Sequence, residues 1–265
     1  MNSKSRITSI LKANHLGSSI TNFPVFDLSD LKVIDDLNFE LPTNVRLGHL
    51  AEALVSEAIK VSTNYEVLFE NMQIIKDKNT IGEIDFIIRN LETKQNIHLE
   101  LAYKFYLFDP TISDEPIQNW IGPNRRDSLV QKLDKLKSKQ FPLLYHSSAQ
   151  SHFEGLHTEE ITQALCLLVS LFIPYQYKAS LDQIDEQAIK GYYINLSTFI
   201  NLNSSDKKYH IPTKKEWGID PSENELWTSF EGIEHYIRTS IAEKQAPFVW
   251  QKHNETYLQF FVVWW

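Results

Sequence analysis

The stretch GEIDFIIRNLETKQNIHLELAYKFYL, Gly82 to Leu107, alternates polar and apolar residues on both sides of a polar break. Successive side chains on a strand point to opposite faces, so the pattern predicts two strands joined by a hairpin at LETKQN. In the first strand Ile84, Phe86 and Ile88 share one face, and Glu83, Asp85 and Ile87 share the other. In the second, Leu99, Leu101, Tyr103, Phe105 and Leu107 form an apolar face, with His98, Glu100, Ala102, Lys104 and Tyr106 opposite. A polar face that simply meets solvent would explain this. Glu83 and Asp85 weaken that explanation, because acids are poor strand residues.

Working outward, RLGHLAEALVSEAIKV, Arg46 to Val61, places Leu47, Leu50, Leu54, Ala58 and Val61 at helical spacing. NYEVLFENMQII follows as a strand. After WIGPNRR, a helix is expected from about Asp127 to Lys139, burying Leu129, Leu133 and Leu136, with Asp127 or Asn124 as its cap. The apolar segment from Ile161 to Tyr175 reads as a buried helix or as a helix running into a strand, and periodicity alone does not separate the two. The order helix, three strands, helix, strand indicates an α/β sheet with helices packed against it.

Residues before 46 read as a short helical piece and an irregular acidic segment, VFDLSDLKVIDDLNFELP. Downstream, KGYYINLSTFINL and LQFFVVWW are strand-rich, and ENELWTSFEGIEHYIRTSIAEKQ is helical. No Pro, Gly or Ser linker divides the chain. The expectation is a single domain over residues 1–265, with a core at about 46–175 and a C-terminal elaboration at about 176–265.

A chain of 265 residues that is 42% hydrophobic can bury a substantial core. Its net charge of -8 argues against a generic nucleic-acid coat, though not against a local basic surface. The single cysteine, Cys166, lies in the run ALCLLVSLFI, so it reads as a core thiol in a reducing compartment. The amino terminus lacks a secretory apolar region, and the run Ala164 to Tyr175 is shorter than the ~20 residues a bilayer helix needs. A cytoplasmic protein with no membrane partner is expected.

Hydrolysing a phosphodiester requires an activated water and positive charge near the phosphate. Mg²⁺ supplies both when a few carboxylates hold it, and a lysine beside it adds charge. An Asp on one strand with a Glu and a Lys on its neighbour, all on one side, is a compact way to build such a site.

The GEID strand, the polar hairpin and the acidic strand ending in Lys resemble the PD-(D/E)XK nuclease superfamily, whose core order is α-β-β-β-α-β. More closely, GEIDFI, HLELAYKFYL and WIGPNRRDSLVQKLDKL are similar to the family called domain of unknown function 1853, over roughly Leu47 to Leu143, with weaker similarity through IPTKKEW and FFVV. The resemblance implies a restriction-endonuclease-like core with a mixed sheet flanked by helices. It also implies a nuclease dependent on Mg²⁺ or Mn²⁺, with DNA or RNA as partner. Asp85 and Glu100 would hold the metal, with Glu83 as a further ligand and Glu52 contributed by the preceding helix. Lys104 would position the water.

The superfamily pattern places a glutamate two residues before the lysine, where this chain has Ala102. On a regular strand Glu100 and Lys104 are ~13 Å apart, against ~7 Å for an i, i+2 pair. Either a bulge shortens the separation, or Glu100 serves the metal while Lys104 reaches the phosphate, or the third carboxylate comes from Glu83 or Glu52. Ala102 also supports an alternative, a catalytically inactive nuclease-like fold that binds nucleic acid or a protein.

Asn124 to Gln140 carries Arg125, Arg126, Lys132, Lys135, Lys137 and Lys139 against Asp127 and Asp134. Arg125, Arg126 and Lys132 are its candidate nucleic-acid contacts, with a solvated helix face as the plain alternative. Helical phase leaves open whether Gln131 or Lys132 faces the site. His98 reads as an exposed strand histidine, with a ligand or proton-carrier role as the other option. No Gly-rich phosphate loop, GxSxG elbow or zinc-ligand spacing is present.

Overall fold

The Gly82–Leu107 stretch folds as an antiparallel hairpin, with Ile88 opposite Ile97 and Phe86 opposite Leu99. Its turn is set by Asn90, whose side-chain oxygen accepts the Glu92 and Thr93 amides at 2.9 and 3.0 Å. Lys94 closes the turn in the left-handed region, at φ 64°.

The computed structural model describes residues 3–33, 37, 40–42, 44–153, 155–179, 181 and 184–265. Parts of the acidic segment expected to be irregular, at 34–36 and 38–39, lie outside the described residues. The main elements are α1 (Ser3–Leu11), α2 (Leu47–Val61), β1 (Tyr65–Lys76), β2 (Asn79–Asn90), β3 (Asn96–Phe108) and α3 (Leu129–Lys135), continued by a π-helical turn, Leu136–Gln140. There follow β4 (Thr162–Pro174), β5 (Ile189–Asn195), α4 (Leu196–Leu202), β6 (Lys207–His210), α5 (Phe230–Ala242), β7 (Phe248–His253) and β8 (Thr256–Val263). This is a mixed α/β fold with a central sheet flanked by helices. Among the described residues no helix is long and apolar enough to cross a membrane.

The residues fall into two compact units, each discontinuous in sequence. One comprises Ile10–Tyr103 and Gln131–Leu168, the other Met1–Ser9, Lys104–Val130 and Val169–Trp265.

In the first unit the strands lie in the order β1-β2-β3-β4, with β1 and β2 antiparallel over most of their length. Its core joins Ile74, Ile84 and Ile87 to Leu143, Leu144 and Phe153. Helix α2 buries Leu50, Leu54 and Ala58 as its spacing predicts, each large side chain contributing about 1.5–3 kcal/mol. The two ends of that stripe differ, Val61 being exposed.

The segment Ile161 to Tyr175, expected to be a buried helix or a helix running into a strand, holds the single strand β4 and no helix. Ala164 to Phe172 are all buried in an extended strand, and a strand covered on both faces needs no alternation. Cys166 lies within it, fully buried, and burial raises its thiol pKa.

In the second unit β5 pairs with β8 in parallel, while β8–β7 and β7–β6 are antiparallel. The segment KGYYINLSTFINL divides into β5 and α4, because Asn195 caps the helix by accepting the Thr198 amide at 2.8 Å. Helix α5 begins at Phe230, later than its sequence suggests, since Pro221–Glu223 forms a separate 3-10 turn. Both elements pack Phe199, Phe230 and Ile237 against Val249 and Phe260.

Candidate active site

Beyond the Phe86–Leu99 pair, the hairpin's next contact is made by a side chain. Asp85 Oδ2 accepts the Leu101 amide at 2.8 Å, so a carboxylate stands where a backbone carbonyl would otherwise satisfy that donor. Asp85 is buried at 8% exposure. Burial, reinforced by the charge of Glu100, raises its pKa to about 7.

Glu100 has no exposed surface. His98 Nε2 lies 2.9 Å from its Oε1, and the Gln140 amide nitrogen donates to its Oε2. Lys132 Nζ donates to Gln140 Oε1 at 2.8 Å. A lysine only donates, so Gln140 must turn its oxygen to Lys132 and its amide nitrogen to Glu100. On the other side the Gln163 amide nitrogen donates to His98 Nδ1 at 3.3 Å, which leaves the imidazole proton on Nε2, facing Glu100. Burial lowers the His98 pKa to about 4, so the ring is neutral at pH 7. Burial raises the Glu100 pKa, and the Lys132 charge opposes that rise.

The expectation of a solvent-exposed His98 therefore does not hold. The polar face of the hairpin is covered, and His98 packs edge-on against the Phe141 ring with centroids 5.4 Å apart.

A cavity of about 410 Å³ opens in front of Asp85. Its carboxylates are Glu52 from α2 and Glu83 and Asp85 from β2, and its amines are Lys132, Lys135 and Lys139 from α3 and the π turn. Glu52 is 16% exposed and bonds His49 Nδ1 at 2.9 Å, which raises the His49 pKa. Gly82 also borders the cavity, and a Cβ there would come within 2.7 Å of Leu143. The glycine of GEID is thus a close-packing residue.

The candidate residues divide into three groups. Glu52, Glu83, Asp85 and Lys132 share the cavity. Glu100 is joined to it through hydrogen bonds and is not among the residues that line it. Lys104, Arg125 and Arg126 belong to the other unit. Lys104 Nζ meets Asp127 Oδ2 at 2.9 Å. Arg125 pairs with Asp109 at 2.8 Å and stacks over the Trp265 ring at 4.5 Å, while Arg126 is exposed.

Strand β3 carries Glu100 and Lys104 within its span from Asn96 to Phe108. Of the three arrangements considered, the one matching the cavity lining takes its further carboxylates from Glu52 and Glu83. Of the polar lining residues, Gln140 and His49 were not singled out by the sequence, and Lys135 and Lys139 were named only as part of the basic run. The basic run was visible, but the π turn changes helical phase after Lys135, and no residue pattern marks it.

Among the described residues, no three His, Cys, Asp or Glu side chains form a metal-ligand cluster. The carboxylates that line the cavity, Asp85 with Glu52 or Glu83, are the residues that would hold a hard cation such as Mg²⁺ there. A cation beside Asp85 would offset the burial that raises its pKa.

Residues 26–260 match the model of the family described as a domain of unknown function, DUF1853. The chain belongs to that family. No curated protein and no solved structure matches it.

Proposed function

We propose that this chain is a metal-dependent nuclease that hydrolyses phosphodiester bonds in DNA or RNA, built on a PD-(D/E)XK-like core. The observation that carries the reading is the cavity where Glu52, Glu83 and Asp85 meet Lys132, Lys135 and Lys139. Carboxylates suit a divalent cation and amines suit phosphate, so a phosphodiester with its counter-cation matches both sets. The element order α2-β1-β2-β3-α3-β4, which is the superfamily's α-β-β-β-α-β order, supports the same reading.

Asp85 is the principal cation holder in this reading, with Glu52 or Glu83 as a second carboxylate of the same cavity. Mg²⁺ or Mn²⁺, when bound, supplies a Lewis acid that lowers the pKa of water. Glu100 acts from behind the cavity: His98 and Gln140 hold its carboxylate, and the Asp85 backbone amide stabilises its charge. Lys132, Lys135 and Lys139 contact strand phosphates in this reading.

Ala102 favours a second reading, a nuclease-like fold that binds nucleic acid without cutting it, because no carboxylate stands at the superfamily's usual place. One experiment separates the two. Purified protein and Asp85→Ala are incubated with single- and double-stranded DNA and RNA in Mg²⁺ or Mn²⁺. Metal-dependent cleavage that the variant loses supports the nuclease, and equal cleavage by both proteins removes it. Salt-sensitive binding without cleavage favours the binding module.

A further inference from the structure

We propose that Lys132, and not Lys104, is the lysine that serves this site. The inference rests on the nuclease reading above and concerns which side chain places positive charge beside the scissile phosphate. Superfamily spacing points to Lys104, but that ammonium is engaged by Asp127 at 2.9 Å and Lys104 is not among the residues that line the cavity. Lys132 lines the cavity that contains Asp85, and its charge acts on both Asp85 and Glu100.

The position of Lys132 is also constrained. Its Nζ bonds Gln140 Oε1 at 2.8 Å, and the same amide group donates to Glu100. Gln140 is the last residue of the π turn, whose i to i+5 bonding widens the helix by one residue per turn and gives Gln140 a different phase from a continued α-helix. Such turns occur often at functional sites. Gln140 is therefore a positioning residue: it fixes a long, flexible lysine at one point of the cavity and couples it to the buried carboxylate.

In hydrolysis the water oxygen bonds phosphorus as the ester P–O bond breaks; one water proton ends on the leaving oxygen and the other stays with the new phosphate monoester. Lys132 stays protonated throughout. It stabilises the negative charge that develops on the non-bridging oxygens, a role that needs a positive charge near the phosphate and no proton transfer.

The test compares wild type, Lys132→Met, Lys132→Arg and Lys104→Met, each checked for folding by circular dichroism. Mn²⁺ affinity is measured by calorimetry, and cleavage is measured on a labelled oligonucleotide. Lys132→Met is expected to cleave about 100-fold more slowly or worse. It should also bind Mn²⁺ several-fold more tightly, because a positive charge near the carboxylates has been removed. A merely structural lysine would not move the two readouts in opposite directions. Lys132→Arg keeps the charge, so its Mn²⁺ affinity should match wild type with part of the cleavage retained. Lys104→Met should leave both within about twofold, as expected for a partly exposed pair.

If Lys132→Met does not fold, Lys132→Gln takes its place under the same expectations. The proposal is overturned if the folded Lys132 variant cleaves like wild type, if its Mn²⁺ affinity falls with its cleavage, or if Lys104→Met is the variant that loses cleavage. Wild-type protein that cuts no substrate fails the nuclease reading itself, and the assignment of Lys132 fails with it.

Discussion

Asp85 and Leu101 are joined by a side-chain bond, the Asp85 carboxylate accepting the Leu101 amide at 2.8 Å just past the last paired residues of the hairpin. A carboxylate in that place stabilises the neighbouring strand, yet its own charge is poorly solvated. The tension between these effects makes Asp85 sensitive to pH.

Its folded pKa is raised from 3.8 to about 7. A raised carboxyl pKa favours the folded state at low pH and weakens it as pH climbs through 7. Asp85→Asn keeps an acceptor for Leu101 and removes the charge. The variant should exceed wild type by about 1–4 kcal/mol at pH 8, with the difference closing below pH 5, in urea melts. An Asn variant less stable than wild type at pH 8 would contradict this account.

His98 works in the opposite sense. Its pKa falls from 6.5 to about 4, so its neutral form contributes stability above pH 6.5 that is lost as pH drops through 4. Replacing it with Leu leaves Glu100 Oε1 without the His98 donor and should cost about 1–3 kcal/mol at pH 8. That deficit should shrink on acidification, since the variant has no imidazole to protonate. Stability equal to wild type at pH 8 would mean that water replaces the imidazole.

The two adjacent arginines should behave differently. Arg125→Ala removes the partner of Asp109, whose side chain is 6% exposed, and uncovers Trp265. Asp109 keeps its bonds to Thr111, so the cost should be about 1–2 kcal/mol. Arg126→Ala should change stability by less than about 0.5 kcal/mol. If Arg126 contacts phosphate, its removal should reduce the salt dependence of nucleic-acid binding by about one charge, measured by anisotropy titration. A large stability loss at Arg126 would show that it is structural.

Gly82→Ala tests the packing behind the GEID motif. The added methyl would meet Leu143 Cδ2 at 2.7 Å, so the leucine must turn or β2 must shift. A loss of about 1–3 kcal/mol is expected in denaturant melts. Wild-type stability with wild-type cation binding would mean that the cavity wall yields freely.

Much of the local structure was legible. Two runs of alternation around LETKQN specified the hairpin, because strand periodicity and a polar turn are properties of contiguous residues. The stripe of α2 was legible for the same reason. Strand β4 was not, since a strand covered on both faces has the composition of a buried helix, and only its neighbours in the sheet distinguish the two.

The site was legible as a set of residue types more than as an arrangement. Alternation showed that His98, Glu100 and Lys104 share a face of β3, but it carries no information about what covers that face. Gln140 and Gln163, which meet Glu100 and His98, lie 40 and 65 residues away along the chain. Their arrival turned an expected solvent face into a buried hydrogen-bond network.

By itself, then, the sequence determined the two strands of the hairpin, its turn and the acidic residues available near Asp85, all through interactions among near neighbours in the chain. Only the tertiary structure decided that Lys132 reaches the cavity and that Lys104 pairs with Asp127. Those outcomes depend on helical phase across a π turn and on long-range packing, and neither leaves a periodic trace in the residues themselves.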